Sequence, residues 1–261
     1  MDAIYRTVTS LFLSLMSAIG IQAAPMSWQM QPMPDGRVAQ VVLSTHPHSW
    51  QSETIPLEQF DGLKPLLQKD GPAKFRLKRD AGVFEFDGVL RRGAGGGTFE
   101  FAGNDAFANA LVKRGFGTPS WAELFKMAWH DTGFALIDEL AAQKYQKPTL
   151  QRLIDTGDHG IDRAYVREMT VLVKDLNTVD DLIRQHDHGI DGAYIRDLAA
   201  LGLKNLTAND LVRAHDHGIN RKWLTNVRAR NSVQLSLDHL VSLHDHGVET
   251  MEELRRRTHQ S

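Results

Sequence analysis

The residues with the clearest chemical potential are histidines and aspartates that recur along the second half of the chain. The chain has 12 histidines, and half of them belong to three His-Asp-His triplets. The histidines of the triplets are His186 and His188, His215 and His217, and His244 and His246. Imidazole and carboxylate groups are metal ligands, and imidazole also changes charge near physiological pH. The triplets therefore suggest either a metal site or a pH-responsive set of His–Asp pairs.

A structural role for these histidines is the third interpretation, and their spacing favours it. Residues two apart on a helix point about 200° apart, so one triplet cannot chelate a metal unless the helix has ended. His188 falls at a helix end, where a donor or cation satisfies free carbonyl groups. His186 shares the face of Leu182 and is expected to pack toward the core. Histidine also recurs at His130 and His159 without its companion, as capping predicts. We therefore predict no metal and no cofactor.

A 29-residue repeat over residues 118–261 must position these side chains. Each unit opens with a Ser or Thr suited to cap a helix, has two apolar residues four and five positions later, and has the histidine ten positions later. The caps are Ser120, Thr149, Thr178, Thr207 and Ser236. In the last four units glycine follows the histidine, and glycine there ends a helix in the left-handed conformation.

A second helix follows in each unit. Asp162, Asp191 and Asn220 are good N-caps for it. The aromatic residues Tyr165, Tyr194 and Trp223 come three positions later, and we expect them in the core rather than in a binding stripe. The apolar stripe of each helix pair needs a neighbouring unit to bury it, so five units predict a short α-solenoid.

The first half of the chain has the period of β-strands instead. Residues 24–103 predict an antiparallel β-rich domain, with strands over 37–45, 73–79, 83–90 and 98–101. The glycine-rich stretch 93–97 precedes a strand and lacks the lysine of a phosphate loop, so it predicts a flexible hairpin turn. Asn104 can cap a helix within a connecting segment, residues 104–117. The predicted fold class is α+β.

The N-terminus and the composition bear on location and partners. Residues 1–23 combine Arg6, an apolar run from Leu11 to Ile21 and small residues near Ala23, which is typical of a secretory signal peptide. An uncleaved anchor is the alternative. We predict a periplasmic or secreted chain with no membrane insertion after cleavage. The absence of cysteine excludes disulfides and thiolate metal sites, and a net charge of −2 gives no general attraction to nucleic acid.

The repeats and the β region before them resemble a known family. The segments GVFEFDGVLRRGAGGGTFEFAGN and DLIRQHDHGIDGAYIRDLAALGL are similar to the extracytoplasmic repeats of bacterial β-lactam-sensor-type membrane metallopeptidases, over residues 75–261. The resemblance implies an exported sensing or interaction module without the peptidase, because the zinc motif HExxH does not occur. The chain departs from the family where aspartate replaces an expected apolar residue before the repeat histidine.

No motif for catalysis is present, since GxSxG, dinucleotide and phosphate-loop patterns do not occur. The sequence predicts a non-catalytic protein-interaction or sensing module that binds envelope proteins. The alternative is a histidine-based metal-binding protein of the periplasm, and a hydrolase comes third. A further pair, His46 and His48, flanks Pro47, which predicts an exposed loop or edge rather than two ligands.

Overall fold

The computed structural model describes residues 26–46 and 49–258, so the predicted signal peptide and His48 lie outside the described residues. The chain divides into a strand-bearing unit, which ends at Ala102, and a helical unit from Gly103 onward that also includes residues 79–82. Within the described residues there are one antiparallel seven-stranded sheet and eleven helices. The predicted α+β class is confirmed.

The strands of the sheet alternate buried apolar and exposed polar residues. They are β1 Ser27–Pro32, β2 Val38–His46, β3 Ser49–Pro56, β4 Phe60–Asp61, β5 Gly71–Arg79, β6 Gly82–Arg91 and β7 Ala94–Gly103, in the spatial order β3-β2-β1-β7-β6-β5-β4. The rings of Phe75 and Phe86 stack with centroids 4.9 Å apart, and Trp28 meets Phe75 edge-on at 5.2 Å. One face of the sheet therefore carries an aromatic core, as the period-2 pattern requires.

The glycine-rich stretch is mostly strand, so the prediction of a flexible hairpin turn over 93–97 is wrong. The turn has only two residues, Arg92 and Gly93, whose φ values of 51° and 80° are those of a tight hairpin turn. Residues 95–97 lie inside β7, which runs between β1 and β6. A Cβ on Gly97 would lie 2.1 Å from the carbonyl oxygen of Asp87. Glycine is needed here because neighbouring backbone approaches closely.

The helices follow the repeat. They are α1 Asp105–Lys113, α2 Trp121–Trp129, α3 Phe134–Ala142, α4 Leu150–Asp158, α5 Arg163–Leu172, α6 Val179–Asp187, α7 Gly192–Ala200, α8 Ala208–Asp216, α9 Arg221–Arg230, α10 Leu237–Asp245 and α11 Met251–Thr258. All five Ser or Thr caps accept a backbone N–H, as predicted. Asp181 and Asp210 complete capping boxes in α6 and α8.

Equivalent helices of successive units pack against each other. The first helices contact in the order α2, α4, α6, α8 and α10, and the second helices in the order α3, α5, α7 and α9. The two apolar residues after each cap are buried in all five units, for example Leu182 at 0% and Ile183 at 8% exposure. No helix in the described ranges has the length and apolar character needed to cross a bilayer.

Candidate functional site

The repeat histidine is the C-cap residue directly after each first helix, and in the last four units the glycine after it makes the turn. Gly160, Gly189, Gly218 and Gly247 have φ between 61° and 71°. In the third unit the N–H of Gly189 donates to the carbonyl of His186 at 2.8 Å, and the N–H of Ile190 donates to that of Gln185 at 2.9 Å. This pair of bonds is a Schellman motif, in which glycine avoids the steric cost of the left-handed conformation.

The repeat histidine bonds an aspartate of the next unit. We call these bonds the interunit links. The atoms and distances are His130 Nε2 to Asp158 at 3.0 Å, His159 Nδ1 to Asp187 at 2.8 Å, His188 Nδ1 to Asp216 at 2.8 Å, and His217 Nδ1 to Asp245 at 2.7 Å. An ionised carboxylate only accepts, so the imidazole N–H donates. In each case the aspartate lies 28 residues after the histidine, directly before the histidine of the next unit.

The links differ from the predicted capping role, in which the histidine side chain serves carbonyl groups of its own helix. Only His246, in the last unit, makes that contact, with Nδ1 2.8 Å from the carbonyl oxygen of Ser242. In the earlier units the aspartate of the next unit accepts the N–H instead. The glycine turn satisfies two carbonyl groups at the helix end, those of Gln185 and His186 in the third unit.

The companion histidines contact the preceding unit. The ring of His186 lies edge-on to Tyr165, with centroids 5.1 Å apart and an interplanar angle of 86°. His215 and His244 repeat this contact at 5.2 and 5.1 Å, against the aromatic residues Tyr194 and Trp223. The first two triplets therefore direct their first histidine toward the preceding unit and their second histidine toward the next unit.

The prediction that His186 packs toward the core is wrong. His186 is exposed, whereas Gln185 beside it is fully buried. The Gln185 Nε2 donates to the backbone carbonyl of Ala208 in the next unit at 3.0 Å. The aromatic ring of the preceding unit holds the His186 imidazole at the surface. The position of the His186 side chain depends on Tyr165, 21 residues earlier, so the apolar pattern of a single unit does not predict it.

The aromatic residues of the second helices add another bond between units. The Tyr165 hydroxyl donates to the carbonyl of Ile190, and the Tyr194 hydroxyl donates to that of Ile219, both at 2.9 Å. Burial is the main cause that raises the pKa of both phenols. Tyr165 is buried, as predicted for a core residue, whereas Tyr194 and Trp223 are half-buried.

The structure does not bring the triplet histidines together as ligands. His186 and His188 face different neighbours, and the same holds for His215 and His217. In the part of the chain that the structure describes, no group of three or more His, Cys, Asp or Glu side chains is placed to hold a metal ion. His46 ends β2, where its Nδ1 lies 3.3 Å from the hydroxyl of Thr45. The arrangement is a set of hydrogen bonds between units.

A buried carboxylate that the sequence analysis missed lies between the first two second helices. The side chain of Glu139 in α3 is 6% exposed and accepts from Arg167 at 2.6 Å and Arg163 at 3.0 Å, both in α5. Gln143 donates to it at 2.8 Å. The bond from Arg167, followed by those from Gln143 and Arg163, lowers the pKa of Glu139 to about 2. The available signal was a pair of acidic residues, Asp138 and Glu139, within the otherwise apolar helix FALIDELAA.

No protein-family model, curated protein or solved structure matches this chain. The resemblance to the sensor-type repeats therefore stays a prediction. A functional interpretation depends on the contacts within the repeats themselves.

Proposed function

We propose that the chain is a non-catalytic protein-interaction module of the bacterial envelope, in which the five helix pairs form an α-solenoid. The observation that supports this most is the set of interunit links. The histidines and aspartates that could have done chemistry are used to join consecutive units. The surface of the regularly spaced helices is then what a partner protein would bind.

The links suit such a surface because they act at every junction in the same way. Each is half-exposed, with side chains between 36% and 47% exposed in the three links of the second to fourth units, so each contributes about 0.2–1 kcal/mol. Together with the tyrosine bonds and the buried apolar stripe, they fix the register of one unit on the next. A surface that is already ordered loses less conformational entropy when it binds.

The envelope assignment rests on the sequence. The predicted signal peptide and the resemblance to extracytoplasmic sensor repeats both favour an exported protein whose partners are other envelope proteins. The alternative of a histidine-based metal-binding protein needs ligands that converge, and the triplets point their two histidines at different neighbours. We therefore favour the interaction module.

Site-specific photocrosslinking in the envelope of the source bacterium tests the proposal. A photoreactive phenylalanine is placed at exposed, register-equivalent positions on the second helices, Ala164, Ala193 and Lys222. A matched set on the first helices is Gln151, Asp180 and Asn209. The positions within each set are 29 residues apart, so the two sets have the same spacing and differ only in whether they lie on the first or the second helices.

We expect one partner of defined mass to crosslink at several positions of one set and to be absent from the other. Equal labelling of both sets by abundant proteins would contradict a specific interface, and so would no labelling at all. A turnover detected with the purified chain, in the absence of any crosslinked partner, would favour the hydrolase instead.

A further inference from the structure

The helical unit contains an apolar cavity of about 380 Å³ near the first repeat. Its floor is formed by the buried side chains of Ile137, Leu140, Tyr145 and Leu153. The remaining lining residues are Phe116, Ala141 and Pro148, with Arg114 and Lys147 at the rim. A volume of this size lies within the range of small-molecule sites, about 300–1,000 Å³, which are also mainly apolar with a few polar groups.

The two cations at the rim are held in place by groups on the protein. The Lys147 ammonium donates to the carbonyl of Gly115 at 2.9 Å and to that of Arg114, and it lies 4.7 Å from the centroid of Phe116. These two bonds leave one of its three N–H groups for a ligand. Arg114 pairs with Asp138 at 2.5 Å and stacks 4.9 Å from the centroid of Phe134.

The two cations at the rim differ in their partners. Arg114 pairs with the carboxylate of Asp138, whereas the Lys147 ammonium bonds backbone carbonyl groups, so it places a positive charge beside the apolar floor. This combination complements a monoanion with an apolar body.

The second unit has an apolar residue at the position that corresponds to Lys147. One repeat after Lys147 the equivalent residue is Leu176, which is 8% exposed. An apolar side chain is therefore buried at that position in the second unit. In the first unit the lysine directs its ammonium to the carbonyl groups after α1, and the apolar side chains beside it line the cavity.

We propose that this cavity binds a small aromatic carboxylate, with the ring on the apolar floor and the carboxylate at Lys147. The bond from the ammonium to the carboxylate is charge-assisted and selects the anion over a neutral analogue. The ring gains from burial against Leu140 and Tyr145. This site does not depend on the proposed interaction surface, because it needs no protein partner.

A titration of the isotopically labelled chain with 2-naphthoate, followed by amide NMR, tests the proposal. For a ligand of this size we expect a Kd on the order of 1 mM or tighter, with shifts centred on Gly115, Ala141 and Lys147. Lys147→Gln should weaken binding about two- to five-fold, the range of a half-exposed ion pair. The neutral analogue 2-naphthalenemethanol should be weaker than 2-naphthoate by a similar factor.

A matched pair of tryptophan variants locates the site. Ala141→Trp places an indole in the mouth of the cavity, whereas Ala142→Trp changes the next exposed residue of α3, which does not line it. We expect the first variant to lose binding at least ten-fold and the second to bind as the wild type does. Unchanged binding by Ala141→Trp would overturn the proposal. Equal affinity for the acid and the alcohol, or no binding of either, would overturn it too.

Discussion

The contact between a glycine turn and the next unit's histidine gives the sharpest test of how the units are joined. Gly218 has a φ of 68°, and a Cβ built on it would lie 2.8 Å from His244 Cε1 and 2.9 Å from Nε2. Gly160 has nearly the same φ, 70°, but its Cβ would lie 3.4 Å from the nearest atom of His186. A comparison of the single variants Gly160→Ala and Gly218→Ala therefore distinguishes the cost of backbone strain from the cost of a clash between units.

The backbone strain is common to both variants. An alanine in the left-handed conformation costs about 1 kcal/mol relative to glycine. At Gly218 the imidazole of His244 must also move, and it then loses its edge contact with Trp223, whose centroid is 5.1 Å away. Such a contact contributes about 0.5–1.5 kcal/mol. We expect Gly160→Ala to lower the free energy of unfolding by about 1 kcal/mol and Gly218→Ala to lower it by about 1.5–2.5 kcal/mol.

Urea denaturation of a double-mutant cycle measures the clash directly. His244→Ala removes the ring that the new methyl group meets, so Gly218→Ala with His244→Ala should cost less than the sum of the single variants, by about 0.5–1.5 kcal/mol. The corresponding cycle of Gly160 with His186 should be additive. Equal costs at Gly218 and Gly160, together with no coupling to His244, would refute this account of the junction.

Three further outcomes are expected from other contacts. Replacing His188 and His217 together by alanine should lower the free energy of unfolding by about 0.4–2 kcal/mol, because two half-exposed links are lost. The metal content of the purified chain, measured by mass spectrometry, should stay the same, and stoichiometric metal that is lost with the histidines would favour the metal-binding protein instead. Tyr165→Phe removes the hydrogen bond to the carbonyl of Ile190 and should lower the free energy of unfolding, measured by urea denaturation, by about 1–1.5 kcal/mol. Because burial raises the pKa of this phenol above its ordinary value of 10.0, the wild type should lose stability as pH rises through 10 and the variant should lose less. Hydrogen bonds, first of all the one from Arg167, lower the pKa of Glu139 from 4.5 to about 2, so the stability that the Glu139 carboxylate contributes is full above pH 4.5 and is lost as the pH falls toward 2. The thermal midpoint of Glu139→Gln should therefore fall less steeply with acid than that of the wild type, and an equally steep fall would contradict this role of Glu139.

The period of the repeat was enough to predict the helices, their caps and the glycine turns. Each of these depends on residues within one unit, such as Thr178 and the N–H three places later. The direction of the histidine side chains depends on the neighbouring unit, and His186 was misplaced for that reason. The aspartate at 187 was visible in the sequence, but its partner His159 became clear only once units were packed.

The glycine-rich strand shows a second limit of sequence reasoning. Glycine serves both turns and crowded strands, and composition does not distinguish the two. The pairing of Gly96 with Gln29 of β1 and the close approach of Gly97 to β6 are contacts across the sheet. Glu139 was missed for the same reason, because its arginine partners lie 24 and 28 residues away.

The interunit links give the row of helix pairs a head and a tail. The first unit has Trp129 where the others have aspartate, so it only donates; His246 of the last unit bonds its own helix, so that unit only accepts through Asp245. Each of the three units between them has both the aspartate that accepts and the histidine that donates. Duplication of one internal 29-residue segment would therefore bring a complete donor and acceptor with it and leave every existing junction intact. The array can lengthen by whole repeats without new chemistry, whereas an insertion of any other length would change the 28-residue spacing of the link that spans it.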